Sequence, residues 1–165
     1  QLYDTNPRDP RILMGRAIAQ QNTNRVDSAL KSYEELLDVN PDNADAMLNM
    51  LGLLRQQYPA VALRRLLDLQ ERDPGHAGIA AQIGVTEADQ GNYEEALRYL
   101  GRAASMEPNN AQHLFNMAVI ADRQGLGAQA IGYYEQALEV DAVYGGSRSV
   151  PRDMIYDRLS TLRRR

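Results

Sequence analysis

The chain of 165 residues contains no cysteine and no tryptophan, and Phe115 is its single phenylalanine. The lack of cysteine excludes disulfide scaffolds, thiolate zinc sites and cysteine nucleophiles. No apolar run approaches the roughly 18 residues that a membrane-spanning helix needs. The rest of the composition is typical of a globular protein, with 44% hydrophobic and 24% charged residues.

Lysine is nearly absent as well, because Lys31 stands beside 17 arginines. We interpret this bias as the codon usage of a GC-rich bacterial genome. The 18 basic and 22 acidic side chains give a net charge of −4, whereas nucleic-acid-binding modules usually carry a basic surface. No signal peptide is recognisable, but the chain opens at Gln1, so a leader could have been removed. We expect a cytoplasmic or periplasmic protein, with a preference for the cell envelope.

A repeat with a period of about 34 residues organises the sequence. A proline marks the end of the repeat at Pro41, Pro74 and Pro108, and Pro7 occupies the same position in a partial copy at the start of the chain. Alanine recurs twelve positions before the same point of each copy, at Ala29, Ala62, Ala96 and Ala130. Each copy divides into two segments in which apolar residues recur at three- and four-residue spacing, which indicates amphipathic helices. The sequence therefore predicts stacked helical pairs.

This pattern resembles the tetratricopeptide repeat (TPR), a helix-turn-helix unit of about 34 residues. The segments YEEALRYLGRAASMEPNNA (93–111) and AIGYYEQALEVDA (130–142) are similar to its second helix. The resemblance implies an all-α fold, a right-handed TPR superhelix (α-solenoid) of about four helix-turn-helix repeats plus a C-terminal capping helix. The predicted limits are 1–9 for the end of a preceding repeat, 10–43, 44–76, 77–110 and 111–142 for repeats 1 to 4, and 143–165 for a loop and the capping helix.

The C-terminal segment has two interpretations. Residues 142–150 are rich in glycine and serine, which predicts a loop, and an amphipathic helix follows. We predict that its apolar face consists of Met154, Ile155, Leu159 and Leu162 and shields the last repeat. The alternative is a basic arm for anionic surfaces, because residues 148–165 carry six arginines against two aspartates.

Catalytic chemistry has no recognisable signature. The nucleophile elbow, the HExxH zinc motif and the phosphate-binding loop are all missing from the sequence. His76 and His113 begin the first helices of two repeats, where we expect structural or exposed side chains. We therefore predict no enzyme, no catalytic residues, no cofactor and no metal site.

The first helix of each repeat provides the candidate binding surface, because stacked repeats create a concave face. By the resemblance, the second, fifth, ninth and twelfth residues of each first helix face this groove. The predicted partner-binding residues are Met14, Ile18, Gln21, Leu48, Asn49, Gly52, Arg55, Ala81, Val85, Phe115, Val119 and Asp122. Some members of the family hold a C-terminal carboxylate with a clamp of Lys, Asn and Arg, and here Asn49 alone is of a matching type. The mostly apolar lining favours an amphipathic helix or a hydrophobic peptide.

We therefore predict a protein–protein interaction scaffold, with a bacterial envelope, pilus or secretion assembly as its setting. Its partner is a protein or peptide, with self-association as an additional interaction and without nucleic acid or a transmembrane segment. Two other functions stay open: a self-assembling scaffold that joins copies through the groove and the end helix, and a docking arm of a larger enzyme.

Overall fold

The computed structural model describes residues 7–146 and 149–164, and all regular structure in these ranges is helical. The helices are α1 (Pro10–Asn22), α2 (Val26–Val39), α3 (Ala44–Gln57), α4 (Pro59–Arg72), α5 (Ala77–Asp89), α6 (Tyr93–Met106), α7 (Ala111–Arg123), α8 (Gly127–Tyr144) and α9 (Arg152–Leu162). Most of the predicted end of a preceding repeat falls on residues 1–6, outside the described residues.

The repeated prolines and polar residues set the ends of these helices. Helices α2 and α6 both end two positions before a proline, at Val39 before Pro41 and at Met106 before Pro108, because the residue before proline disfavours helical dihedral angles. The next helix begins behind a side-chain cap. The Asn43 side chain, for example, accepts a hydrogen bond from the Ala46 amide at 2.9 Å.

The turn inside three of the pairs needs a left-handed residue. Asn24, Gly91 and Gly125 occupy the same position relative to the start of their first helix and have φ of 56°, 83° and 75°. Glycine and asparagine adopt this conformation more readily than other residues. The corresponding residue of the second pair, Tyr58, has φ of −135°, and the following helix begins directly at Pro59.

The chain divides into two compact units between Arg65 and Leu66, within α4. In the first unit, α1, α2 and α3 enclose a core in which every member is more than nine-tenths buried. Its buried members are Leu13, Ala17, Ala29, Tyr33, Leu36, Ala46, Met50 and Leu53.

The second unit contains two clusters. One joins α5, α6 and α7 through Ala88, Ala96, Leu100, Met117 and Ile120. The other joins α7, α8 and α9 through Ala111, Ala118, Ala121, Ala130, Tyr134, Val150, Ile155 and Leu159. Helices α5 and α6 approach each other closely at Gly84, because a Cβ atom there would lie 2.8 Å from the Cγ atom of Leu100 and 2.9 Å from the Ala96 carbonyl oxygen.

The C-terminal helix packs on the last pair as predicted, but two details of the prediction are wrong. Helix α8 continues to Tyr144, so the first part of the predicted 142–150 loop is helical, because Ala142 stands where the other repeats have proline. In α9, Ile155 and Leu159 are buried and Leu162 packs against them, whereas Met154 is 47% exposed. Ser147 and Arg148 of the predicted loop lie outside the described residues.

Candidate functional site

The predicted partner-binding residues fall into two groups, one in each unit. Helices α1 and α3 carry those of the first unit, and most are partly exposed. Met14 packs against the buried core, whereas the Ile18 side chain is 40% exposed. The others of this unit are half-buried: Gln21, Leu48, Asn49, Gly52 and Arg55.

In the first unit, polar contacts connect the predicted surface to the second helix of the pair. The Tyr33 hydroxyl donates a hydrogen bond to the Gln21 Oε1 atom at 2.9 Å. Burial raises the pKa of Tyr33, and a hydrogen bond with Asn49 of α3 opposes that rise. These contacts fix Gln21 and Asn49, so both residues have a structural role in addition to their predicted position on the binding surface.

In the second unit, α5 and α7 present an apolar surface, here called the α5–α7 surface, formed by Ala81, Val85, Phe115 and Val119. Ala81 and Val85 are half-buried against the cluster that joins α5, α6 and α7. Phe115 and Val119 are half-buried against the cluster beneath α9. Each of the four side chains therefore has one part in the core and another part in contact with solvent.

The Phe115 ring also contributes to packing within the unit. Its centroid lies 6.3 Å from that of the Tyr134 ring at an interplanar angle of 52°, which is a tilted arrangement that aromatic pairs favour. The sequence predicts Phe115 as a partner-binding residue, and packing within the fold is the other role open to a single aromatic side chain at this position. The structure demonstrates the packing contact.

Asp122, the last predicted residue, is held by the C-terminal helix. Arg158 donates two hydrogen bonds to its carboxylate, from Nε at 2.5 Å and from the terminal nitrogen at 2.6 Å. The Tyr134 hydroxyl lies 3.4 Å from the same carboxylate. Burial, together with the negative charge of Asp122, raises the pKa of Tyr134 to about 12. The Asp122 charge is thus compensated inside the fold.

A second buried carboxylate fixes the start of α9. The Asp141 carboxylate accepts hydrogen bonds from the Val150 amide at 2.9 Å, from Ser149 Oγ at 3.2 Å and from Arg152 Nε at 2.5 Å. Burial alone would raise the pKa of Asp141, but these hydrogen bonds outweigh burial and hold the pKa below its ordinary value. Asp141 therefore connects the end of α8 to the start of α9.

The two histidines have structural contacts. His76 Nδ1 accepts a hydrogen bond from the Ile79 amide at 3.3 Å, which caps α5. His113 is buried, and its Nε2 atom lies 3.0 Å from a Glu107 carboxylate oxygen. Of the two outcomes expected for these residues, structural or exposed, both side chains have the structural one, although no sequence pattern indicated the Glu107 contact. Residues 7–146 and 149–164 contain no group of three or more His, Asp or Glu side chains that could bind a metal ion.

The family profile described as tetratricopeptide repeat matches residues 14–77 and 81–143, which is well over half of the chain. The chain belongs to the tetratricopeptide repeat family. Proteins of this family generally act as non-catalytic scaffolds that bind other proteins, so at this level the chain is a protein-interaction module. The predicted all-α TPR fold with a C-terminal capping helix is confirmed as well.

Curated relatives of this TPR chain are much longer proteins. Cellulose synthase operon protein C of Komagataeibacter sucrofermentans is 30% identical over 115 residues, which span 69% of this chain and 9% of the relative. The TPR repeat-containing protein YpiA of Bacillus subtilis is 24% identical over 115 residues, which span 70% of this chain and 27% of the relative. The chain thus spans a small part of the length of the relatives that it matches.

Solved structures of TPR proteins have the same fold. The thermophilic TPR protein TTC0263 of Thermus thermophilus has a TM-score of 0.78 at 22% identity, over 97% of this chain and 84% of that one. MamA of Desulfovibrio magneticus RS-1 has a TM-score of 0.65 at 17% identity, over 82% and 77% of the two chains. At these identities the comparison shows the fold alone. Among the described residues of this TPR chain, no helix combines the length and apolarity needed to cross a membrane.

Proposed function

We propose that the chain is a non-catalytic TPR scaffold that binds an amphipathic helix or a hydrophobic peptide on the first helices of its repeats. The observation that carries this proposal is the α5–α7 surface, where four apolar side chains are partly exposed on two first helices. An amphipathic helix buries such a surface with its own apolar face, and main-chain hydrogen bonds of the helix stay internal.

The polar residues of the second unit support an apolar partner over a charged one. Asp122 is compensated by Arg158, so it does not offer a free charge beside Phe115 and Val119. The helix positions that hold a clamp for a terminal carboxylate in some family members are occupied by Gly78 and Gln82 in α5. Burial of apolar area, at about 25 cal/mol per Å², is therefore the main source of binding free energy that this surface provides.

The test uses a fluorescein-labelled synthetic peptide of Leu, Ala, Glu and Lys whose leucines lie on one helical face. A peptide of the same composition in scrambled order is the control ligand. Fluorescence anisotropy should show binding of the amphipathic peptide and a loss of at least tenfold in affinity for Val85→Glu, because a carboxylate would then be desolvated in the complex. Leu126→Glu is the matched control variant, since Leu126 is 42% exposed and lies in the turn before α8. Equal affinity of the two variants, or of the two peptides, would contradict the proposal.

The relatives favour one setting within this proposal. Two relatives are named for a cellulose synthase operon, and within the proposed function we place this chain in a bacterial envelope assembly, the setting that also includes the predicted pilus and secretion complexes. Fractionation of the source bacterium tests this setting, because a tagged chain should sediment with envelope complexes. Recovery of the chain solely in the cytosolic fraction would contradict it.

A further inference from the structure

Helix α9 packs on the last helical pair in the way that a first helix packs on the pair before it. Three α9 side chains, spaced by four and then three positions, lie in or against the cluster of α7 and α8: Ile155, Leu159 and Leu162. Three α3 side chains with the same spacing lie in the core formed with α1 and α2: Ala46, Met50 and Leu53. The two helices thus use equivalent positions toward the pair that they cover.

The polar contacts give the same alignment. In α2 and α8, a tyrosine hydroxyl reaches a residue twelve positions earlier, from Tyr33 to Gln21 and from Tyr134 to Asp122. In the first unit, the next helix contributes Asn49 to this contact, three positions after the first of its apolar side chains. In the second unit, α9 contributes Arg158, which also stands three positions after the first of its apolar side chains.

This alignment assigns a direction to the other residues of α9 and of the turn that follows it. The α3 positions predicted to face the binding surface, among them Leu48 and Gly52, have counterparts at the third, sixth and tenth residues of α9 and in the turn that follows this helix. These counterparts, called the α9 row, are Met154, Asp157, Thr161 and Arg164, and all four side chains are exposed. The exposure of Met154, which an apolar cap alone does not explain, follows directly from this position.

We propose that α9 is more than a cap and that the α9 row extends the peptide-binding surface of the second unit beyond Phe115 and Val119. The proposal rests on the proposed function, since it names additional residues for the same partner. The partner is an amphipathic helix whose apolar stripe continues onto Met154. Methionine suits this contact because its side chain is flexible and polarizable.

Charges in the α9 row define the edge of that partner. Asp157 and Arg164 have opposite signs and stand seven positions apart, with Asp157 inside α9 and Arg164 in the turn after it, where its guanidinium donates a hydrogen bond to Ser160 Oγ at 3.2 Å. A partner with a basic and an acidic side chain at this separation beside its apolar stripe complements both. The two charges determine in which direction the partner helix runs along the α9 row, whereas the apolar contacts provide the binding free energy.

The test compares two neighbours of the buried Ile155. Met154 and Tyr156 are 47% and 57% exposed on opposite sides of α9, so Met154→Glu and Tyr156→Glu introduce the same charge at sites of similar exposure. With the labelled leucine peptide, we expect Met154→Glu to lose about tenfold in affinity. We expect Tyr156→Glu and Met154→Leu to stay within about twofold of the parent protein.

Equal affinities of Met154→Glu and Tyr156→Glu would overturn the α9 row. If Val85→Glu abolishes peptide binding while Met154→Glu does not, the proposed function holds and the extension onto α9 is wrong. If neither variant weakens binding, both proposals are wrong. Thermal melts by circular dichroism should give the two glutamate variants of α9 the same midpoint, because both side chains project away from the core.

Discussion

Adding one methyl group at Gly84 should test the helix packing of the second unit. The new Cβ atom would lie 2.8 Å from Leu100 Cγ, 2.9 Å from the Ala96 carbonyl oxygen and 3.2 Å from the Leu100 amide nitrogen. Two of these neighbours are backbone atoms, so rotation of the Leu100 side chain alone cannot relieve the overlap. Helices α5 and α6 must therefore move apart, which costs about 1–3 kcal/mol in an overpacked core.

Alanine also favours helix formation, by about 0.5–1 kcal/mol relative to glycine. Gly132→Ala isolates this gain, because Gly132 lies inside α8 and a Cβ atom there would have no neighbour within 4 Å. Both glycines belong to the second unit, so one unfolding transition reports on both substitutions. We expect Gly132→Ala to gain about 0.5–1 kcal/mol of stability. We expect Gly84→Ala to lose about 1–2 kcal/mol, since overpacking outweighs the gain in helix propensity.

Urea denaturation followed by circular dichroism should separate the two variants by about 2 kcal/mol, which is the cost of overpacking alone, because the gain in helix propensity is common to both substitutions and cancels. A difference of about 1 kcal/mol already corresponds to roughly 2–8 °C in the melting temperature of a domain, depending on its size. A Gly84→Ala variant as stable as Gly132→Ala would show that α5 and α6 do not approach each other this closely.

Three further predictions concern the core and the C-terminal helix. Ala96→Leu should lower the free energy of unfolding by about 1–3 kcal/mol in urea denaturation, since the Ala96 side chain is fully buried. An unchanged midpoint would show that the helices are not closely packed at Ala96. Asp141→Asn should lower the free energy of unfolding near pH 7. In a denaturation series at decreasing pH, the difference from the parent protein should shrink below pH 3.8, because the folded-state pKa of Asp141 lies below that value. A difference that does not change with pH would contradict this prediction. Deletion of residues 150–165 should lower the melting temperature and cause association in light scattering, because the apolar cluster of α7 and α8 loses its cover; a monomer of parental stability would show that α9 is not a cap.

The repeat period predicted much of the fold because it marks local features. Prolines and capping residues act on the chain within a few positions, so Pro41 and Pro108 locate helix ends without knowledge of the packing. The alanines that recur in each copy, among them Ala96 and Ala130, lie at fully buried positions of the second helices. Gly84 was missed, although small residues recur at the same position of other first helices, in Ala17 and Ala118.

The contacts that hold the C-terminal helix could not be predicted, because they join residues far apart in the sequence. Arg158 and Asp122 are 36 positions apart, and neither residue type indicates its partner. The longer α8 was predictable in principle, since Ala142 replaces the proline that follows α2 and α6. The glycines at positions 145 and 146 predict a loop, but their effect begins only after Tyr144, where α8 ends.

Three of the six arginines in the C-terminal segment pair with carboxylates inside the fold. Arg152, Arg158 and Arg163 pair with carboxylates of α7 and α8, at Asp141, Asp122 and Glu135 respectively. Two of these carboxylates are largely buried, so the arginines compensate charges that would otherwise be costly to desolvate. A basic arm would instead present its arginines to solvent and to an anionic surface. Three arginines directed at the acidic helical pair therefore favour the cap over the basic arm.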